Sequence, residues 1–173
     1  MGLGPPDSNH LIIFINMNSH RFSALAVGAV SLAFVYGCAI FDVDTGTPQE
    51  NLDANRAVWN ASGIADYSMR FQRLCSYCDP DWLVSVKVTV TGGTVVEAVD
   101  WDTGNPAPFE PWAYYTVSDL FDLIQNAIVK NAVELRVRYD AELGFPADVN
   151  IDVSRIQLSD DFRSEVRSLT AIQ

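Results

Sequence analysis

The chain has 173 residues, of which 49% are apolar and 19% are charged, so it can bury a core of ordinary size and global disorder is excluded. Its 22 acidic and 11 basic residues give a net charge of −11. Phosphate backbones repel a protein of this charge, and we therefore expect no nucleic-acid partner.

A targeting segment is the first predicted element. Residues 17–37 place His20 and Arg21 ahead of an uncharged apolar run that ends in small residues, which is the layout of a secretory signal peptide. Arg21 precedes the run and acidic residues follow it, so the positive-inside rule predicts export of everything downstream. Residues 1–16 make a poor signal start, and we interpret them as an extension ahead of a true start at Met17.

Cys38 follows the apolar run in a stretch, residues 35–38, that resembles a bacterial lipobox. The resemblance implies cleavage before Cys38 and acylation of that residue, which would anchor the protein in a membrane. Plain cleavage nearby and an uncleaved anchor are the alternatives. In each case we expect the domain on the periplasmic side of a cell-envelope membrane, the outer membrane in a cell that has two, with residues 38–46 as a tether.

Both histidines, His10 and His20, lie in or before this leader. If the leader is removed, the mature chain has no histidine, which excludes Ser-His-Asp and Cys-His catalysis and removes the commonest zinc ligand. We therefore predict that the protein is not an enzyme and has no metal site and no cofactor. Carboxylates, tyrosines, lysines and a cysteine pair remain for any alternative chemistry.

The mature domain, residues 47–173, begins with a predicted helix. Thr47 is a capping threonine at its start, and Gly63 ends it. Leu52, Val58 and Trp59 form its apolar side.

Three strands with alternating apolar residues follow this helix. They cover residues 67–72, 84–90 and 95–101, and Gly92-Gly93 supplies the hairpin turn between the second and the third. A proline-rich loop, residues 104–111, comes next.

The second half of the domain repeats the pattern of a helix followed by three strands. Thr116 caps a helix whose apolar stripe covers residues 117–128, and alternation predicts strands at 133–139 and 149–153. We interpret the ambiguous tail, 162–172, as a strand. The regular alternation of apolar and polar residues along these strands indicates an antiparallel sheet with one solvent-exposed face. The predicted fold is α+β: an antiparallel sheet of about six strands with two helices packed on one face, in the order α-βββ-α-βββ.

Four features of this domain are distinctive in combination. They are the stretch Ile64-Ala65-Asp66-Tyr67-Ser68, a cysteine pair after the first strand, residues 116–125, and the run from Tyr139-Asp140 through Gly144-Phe145-Pro146 to Ile151-Asp152. Together they resemble a family of uncharacterised bacterial exported domains, whose members are described as lipoproteins or domains of unknown function. The resemblance covers about residues 55–170, and it implies export without implying an activity.

The cysteine pair is Cys75 and Cys78, with two residues between them. A thioredoxin-like site needs its first thiol at a helix N-terminus, whereas this pair follows a strand. Asp79 and Asp81 come next, and negative neighbours raise the pKa of a thiol. We interpret the pair as a structural disulfide formed in an oxidising compartment.

Two triplets, Asp44-Thr45-Gly46 and Asp102-Thr103-Gly104, match the short motif of aspartic proteases. That chemistry needs two carboxylates that share a proton in a buried, symmetric site. The first triplet lies in the tether and the second in a loop, so we interpret both as turns.

Aromatic residues surround the proline-rich loop, namely Trp101, Phe109, Trp112, Tyr114 and Tyr115. Such residues beside prolines form platforms for a ligand or partner, or they pack a loop over the end of a sheet. We predict a membrane-anchored cell-envelope domain with a non-catalytic binding or structural role and an envelope protein as partner. The alternatives are an envelope enzyme that uses carboxylates, a thiol–disulfide protein that uses the cysteine pair, and a module that inhibits another exported enzyme.

Overall fold

A computed structural model describes residues 46–75, 78–154 and 161–172 of the chain, all of which belong to one unit, Phe41–Gln173. The predicted extension, the predicted signal peptide, the predicted lipidation site Cys38 and the predicted tether up to residue 45 lie outside the described residues. Within the described ranges, neither helix combines the length and apolar character that crossing a membrane requires.

Helix α1 spans Pro48–Ser62 and begins as the sequence predicts. The Thr47 hydroxyl accepts a hydrogen bond from the backbone N–H of Glu50, and the Glu50 carboxylate accepts one from the Thr47 N–H at 2.8 Å, which completes a capping box. Leu52 and Trp59 are buried, but Val58 is exposed, so its assignment to the apolar side was wrong. Val58 instead borders the turn at Gly144.

Helix α2 spans Val117–Val129 and also begins with a capping box, here between Thr116 and Asp119. Its predicted stripe is buried at Val117, Leu120, Phe121, Ile124 and Ala127.

The six predicted strands are all present, and the ambiguous tail is a strand. Their bounds are β1 Tyr67–Arg73, β2 Val86–Thr91, β3 Thr94–Asp100, β4 Glu134–Tyr139, β5 Pro146–Asp152 and β6 Phe162–Ala171. They form one antiparallel sheet in the order β3-β2-β1-β6-β5-β4. The predicted fold and element order are therefore confirmed, and β1 and β6 join the two three-stranded halves.

The helices pack on the sheet face that carries the buried alternate residues of each strand, such as Met69, Val88 and Val149. One buried hydrogen bond connects the sheet to α2, because the Val117 N–H donates to the Tyr67 hydroxyl at 2.8 Å. Burial raises the pKa of Tyr67 to about 12. This bond fixes the start of α2, and with it the segment that leads into the helix, against β1.

Candidate functional site

The segment between β3 and α2 begins with a tight turn. The Asp100 carboxylate accepts hydrogen bonds from the backbone N–H groups of Asp102 and Thr103 and from the Thr103 hydroxyl, at 2.7 to 3.0 Å. These bonds lower the pKa of Asp100. Gly104 has a φ of 71°. The triplet 102–104 therefore forms a turn, as the sequence indicates, whereas Asp44 and Thr45 of the other triplet lie outside the described residues.

The chain then folds back along the outer edge of β3. The Asp100 N–H donates to the Asn105 carbonyl at 2.8 Å, and the Ala107 N–H donates to the Ala98 carbonyl at 3.1 Å. These bonds hold the proline-rich loop beside the second half of β3 and direct residues 108–115 toward the helix side of the sheet.

Aromatic rings from three parts of the chain meet under this loop. Trp82 stacks on Phe109 with ring centroids 3.9 Å apart, and Tyr114 meets Trp82 edge-on at 6.0 Å. Tyr115 meets Phe162 of β6 edge-on at 5.2 Å. Trp82 belongs to a short 3-10 helix, Pro80–Leu83, that leads from β1 to β2.

A guanidinium group completes this aromatic layer. Arg73, the last residue of β1, lies 5.0 Å from the ring centre of Trp82 and 5.2 Å from that of Phe162. Both contacts are in the range of cation–π interactions. No carboxylate among the described residues lies within 4.0 Å of the guanidinium nitrogens of Arg73.

Together these elements border an open groove of about 1060 Å³, which we call the aromatic groove. Its walls are residues 96–99 of β3, the loop residues 106–115, the side chains of α2 at positions 119, 122, 123 and 126, and Arg73 and Trp82. The four α2 positions follow the i, i+3, i+4, i+7 spacing of one helix face.

The structure brings four of the five predicted aromatic residues into the groove. Phe109, Trp112, Tyr114 and Tyr115 line it, and Trp112 is 83% exposed. Trp101 lies elsewhere: its ring is 42% exposed and is covered by the Arg70 guanidinium at 4.8 Å, outside the groove lining.

Unpartnered polar atoms lie at this end of the sheet. In the described part of the chain, the Tyr114 hydroxyl, Arg73 Nε and the Ser164 hydroxyl are buried and have no hydrogen-bond partner. Arg73 and Ser164 are cross-strand partners on β1 and β6. Burial raises the pKa of Tyr114, an effect partly offset by the nearby backbone amide of Phe109. A buried polar group without a partner is uncommon in proteins.

Carboxylates dominate the charge of the groove. Glu97, Glu110, Asp119 and Asp122 line it together with the guanidinium of Arg73. Asp122 also pairs with Arg56 of α1 at 3.1 Å, and Asp119 closes the capping box of α2. In the described ranges, no group of three or more His, Cys, Asp or Glu residues is arranged to hold a metal ion.

The cysteine pair lies beside the groove. The sulfur atoms of Cys75 and Cys78 are at disulfide-bonding distance, and the two Cα atoms are 5.7 Å apart. The pair follows β1 and precedes the 3-10 helix that carries Trp82, and Asp79 caps that helix by accepting a hydrogen bond from the Asp81 N–H at 3.0 Å.

Sequence reasoning did not single out Trp82, Arg73 or the α2 carboxylates. Trp82 had a weak signal, since it is a large aromatic residue that follows Asp79-Pro80-Asp81 shortly after the cysteine pair. Arg73 had none, because its position at the end of an alternating strand is typical of a solvent-exposed residue.

The family of unknown function DUF6174 matches residues 51–171, which is more than half of the chain. That range contains both helices except the first turn of α1, all six strands and the whole aromatic groove. No curated protein and no solved structure matches the chain.

Proposed function

We propose that this chain, which belongs to the family of unknown function DUF6174, is a non-catalytic binding domain of the cell envelope whose binding site is the aromatic groove. The observation that carries the proposal is the 83% exposed side chain of Trp112 at a groove of about 1060 Å³. A groove of this size can hold a small ligand or a short polypeptide segment.

The exposure of Trp112 favours binding because the indole ring is the largest apolar side chain. Covering it with a partner would remove roughly 160 Å² of apolar surface from water, which would contribute on the order of 4 kcal/mol. Exposed tryptophans of this kind are typical of the few residues that dominate the affinity of an interface.

The surroundings of Trp112 are fixed before any partner arrives. The Trp82–Phe109 stack, the Arg73 contact and the loop bonds to β3 hold the groove walls in place. A preformed site loses little conformational entropy on binding, so more of the contact free energy appears as affinity.

Attachment to a membrane is the second part of the proposal, and it is supported by the sequence around Cys38. An extended tether of residues 38–46 would reach about 30 Å at most, because a residue spans no more than about 3.6 Å. The domain would then stay close to the membrane and meet partners of the same envelope compartment.

The test uses photo-crosslinking in intact cells, with the crosslinking amino acid at position 110 in the groove lining and, in a second strain, at position 102 in the turn outside it. We expect position 110, and not position 102, to capture a discrete partner. Trp112→Ala should remove that product, and the matched variant Trp101→Ala, which changes an exposed tryptophan outside the groove, should leave it unchanged.

Two results would contradict the proposal. Identical products from positions 110 and 102 would show that the groove is not the contact site, and full capture by Trp112→Ala would remove the observation on which the proposal rests. Mass spectrometry of the same material would report whether Cys38 carries lipid. A free thiol at Cys38 in that material would refute the lipid anchor, and a free thiol together with removal of residues 17–37 would refute membrane attachment through this segment.

A further inference from the structure

We infer that the aromatic groove receives an extended, basic segment of a partner polypeptide, an inference that rests on the binding function proposed above. Three features of the groove carry it: the sign of the charges in its walls, an uncovered strand edge beside it, and an unpartnered buried hydroxyl in its lining.

The charges come from three separate elements. Glu97 lies on β3, Glu110 on the loop, and Asp119 and Asp122 on α2, so carboxylates surround the groove. Both glutamates are exposed, and Glu110 makes no capping hydrogen bond with its side chain. Arg73 in the lining is engaged by two aromatic rings, Asp122 already pairs with Arg56 at 3.1 Å, and Asp119 closes the capping box of α2. The carboxylates without a cationic partner or a capping role among the described residues are therefore Glu97, which accepts a hydrogen bond only from the neutral Thr89 hydroxyl, and Glu110. This arrangement attracts lysine and arginine side chains and repels anions.

The second feature is the uncovered edge of β3, whose backbone groups can pair with an added strand. β3 is an edge strand of the sheet, and the loop covers only its second half, through Ala98 and Asp100. In the described part of the chain no strand lies on the outer side of residues 94–97, opposite β2, and Val96 in this stretch is 53% exposed and lines the groove. An uncovered edge with an exposed apolar residue is the kind of surface to which an extended segment adds as a further strand.

The Tyr114 hydroxyl supplies the third feature. Tyr114 is only 6% exposed and lines the groove, and its hydroxyl makes no hydrogen bond of good geometry with the described residues, although the backbone amide of Phe109 lies near it. A main-chain carbonyl or amide of a bound segment would satisfy it, since a tyrosine hydroxyl both donates and accepts. Exposed ring faces, above all that of Trp112, would attract cationic side chains of the same segment.

The experiment measures fluorescence anisotropy of labelled heptapeptides mixed with the purified full chain. The first probe has lysine at alternate positions and valine or threonine between them; the second has glutamine in place of lysine, and the third has glutamate. We expect the lysine peptide to bind most tightly, the glutamine peptide more weakly and the glutamate peptide not at all. Added salt should weaken binding of the lysine peptide.

Matched variants assign the effect to the groove. Glu97→Gln combined with Glu110→Gln should weaken binding of the lysine peptide about three- to tenfold, as expected for two exposed charges. The control, Asp102→Asn combined with Glu142→Gln, removes the same charge from exposed positions outside the groove lining and should leave the affinity unchanged. N-methylation of alternate backbone amides of the lysine peptide should weaken binding as well, since it blocks pairing with the β3 edge.

The outcomes separate this inference from the function on which it rests. If Trp112→Ala abolishes the cellular crosslink but lysine and glutamate peptides bind equally, or the two charge variants behave alike, the groove binds a partner and the basic segment is refuted. If the lysine peptide binds and the methylated peptide binds equally well, strand addition is refuted. If Trp112→Ala leaves the crosslink intact, the binding function itself fails.

Discussion

Tyr67 and Tyr114 are both buried in the core, but only the Tyr67 hydroxyl has a hydrogen-bond partner, the Val117 N–H at 2.8 Å. Replacing each tyrosine by phenylalanine removes one hydroxyl at each of two buried sites. The difference between the two variants measures how much the Tyr67–Val117 hydrogen bond contributes to the free energy of unfolding. Val117 opens α2, so its N–H has no acceptor within the helix, and the residue is fully buried. Tyr67→Phe should therefore lower the free energy of unfolding by about 1–3 kcal/mol, the cost of a buried donor left unsatisfied.

The assay is equilibrium unfolding in urea, followed by tryptophan fluorescence. Tyr114→Phe is the control, and its unfolding midpoint should match the wild type or exceed it slightly, because the hydroxyl that it removes has no partner. A Tyr67→Phe midpoint equal to or above that of Tyr114→Phe, at unchanged urea dependence, would refute the reasoning.

Alkaline pH gives a second readout of the same residue. The pKa of Tyr67 is raised from 10.0 to about 12 in the folded chain. Between these values the unfolded chain releases a proton that the folded chain keeps, so stability is fully present below pH 10 and falls as the pH rises toward 12. Tyr67→Phe lacks this group, and its stability should fall less over that window than the stability of the wild type.

Two further predictions concern the backbone. Gly144→Ala should destabilise the fold more than Gly92→Ala. Both glycines have positive φ, which costs about 1–2 kcal/mol for alanine. A Cβ at Gly144 would also lie 2.6 Å from the Asn55 carbonyl oxygen of α1, whereas a Cβ at Gly92 would have no heavy atom within 4 Å. Equal unfolding midpoints for these two variants would contradict the close approach. Reduction of the Cys75–Cys78 pair should lower the free energy of unfolding by only about 2 kcal/mol, since the pair closes a very short loop. If the chain unfolds at the same urea concentration with and without reductant, the disulfide does not contribute to stability and the prediction is wrong.

Local signals in the sequence were sufficient to predict the elements of the fold. Thr47 and Thr116 each precede a residue that closes a capping box, and Gly92-Gly93 adopts the positive φ that its hairpin needs. Each depends on neighbours within a few residues, so a single sequence reveals it. The order of the strands depends on the pairing of β1 with β6, which are far apart in the chain and carry no sequence signal for register.

The position of Trp101 shows where this kind of prediction ends. Trp101 directly follows β3, and in a strand each one-residue step turns the side chain to the opposite face. Asp100 pairs with the inward Val86, so Trp101 points to the open face and meets Arg70 there, while the loop carries the other aromatic residues to the helix side. Nearness in sequence to the aromatic loop therefore did not predict nearness in space.

The groove itself follows from the width of the sheet. Six strands at about 4.8 Å spacing extend over roughly 24 Å, whereas two helices, each about 10 Å wide, cover about 20 Å. Helix α2 contacts β4 and β5, and the strand at the opposite edge, β3, is covered instead by the short 3-10 helix Pro111–Ala113 of the loop.

Aromatic side chains therefore cover the sheet at that edge, where no helix does. This covering role explains the aromatic residues at positions 109, 114 and 115, since Phe109, Tyr114 and Tyr115 pack against the core. Covering the sheet does not account for Trp112, which is 83% exposed. The two interpretations of the aromatic loop thus apply to different residues: three of them close the sheet, and Trp112, which does not, is the residue that we propose to meet a partner.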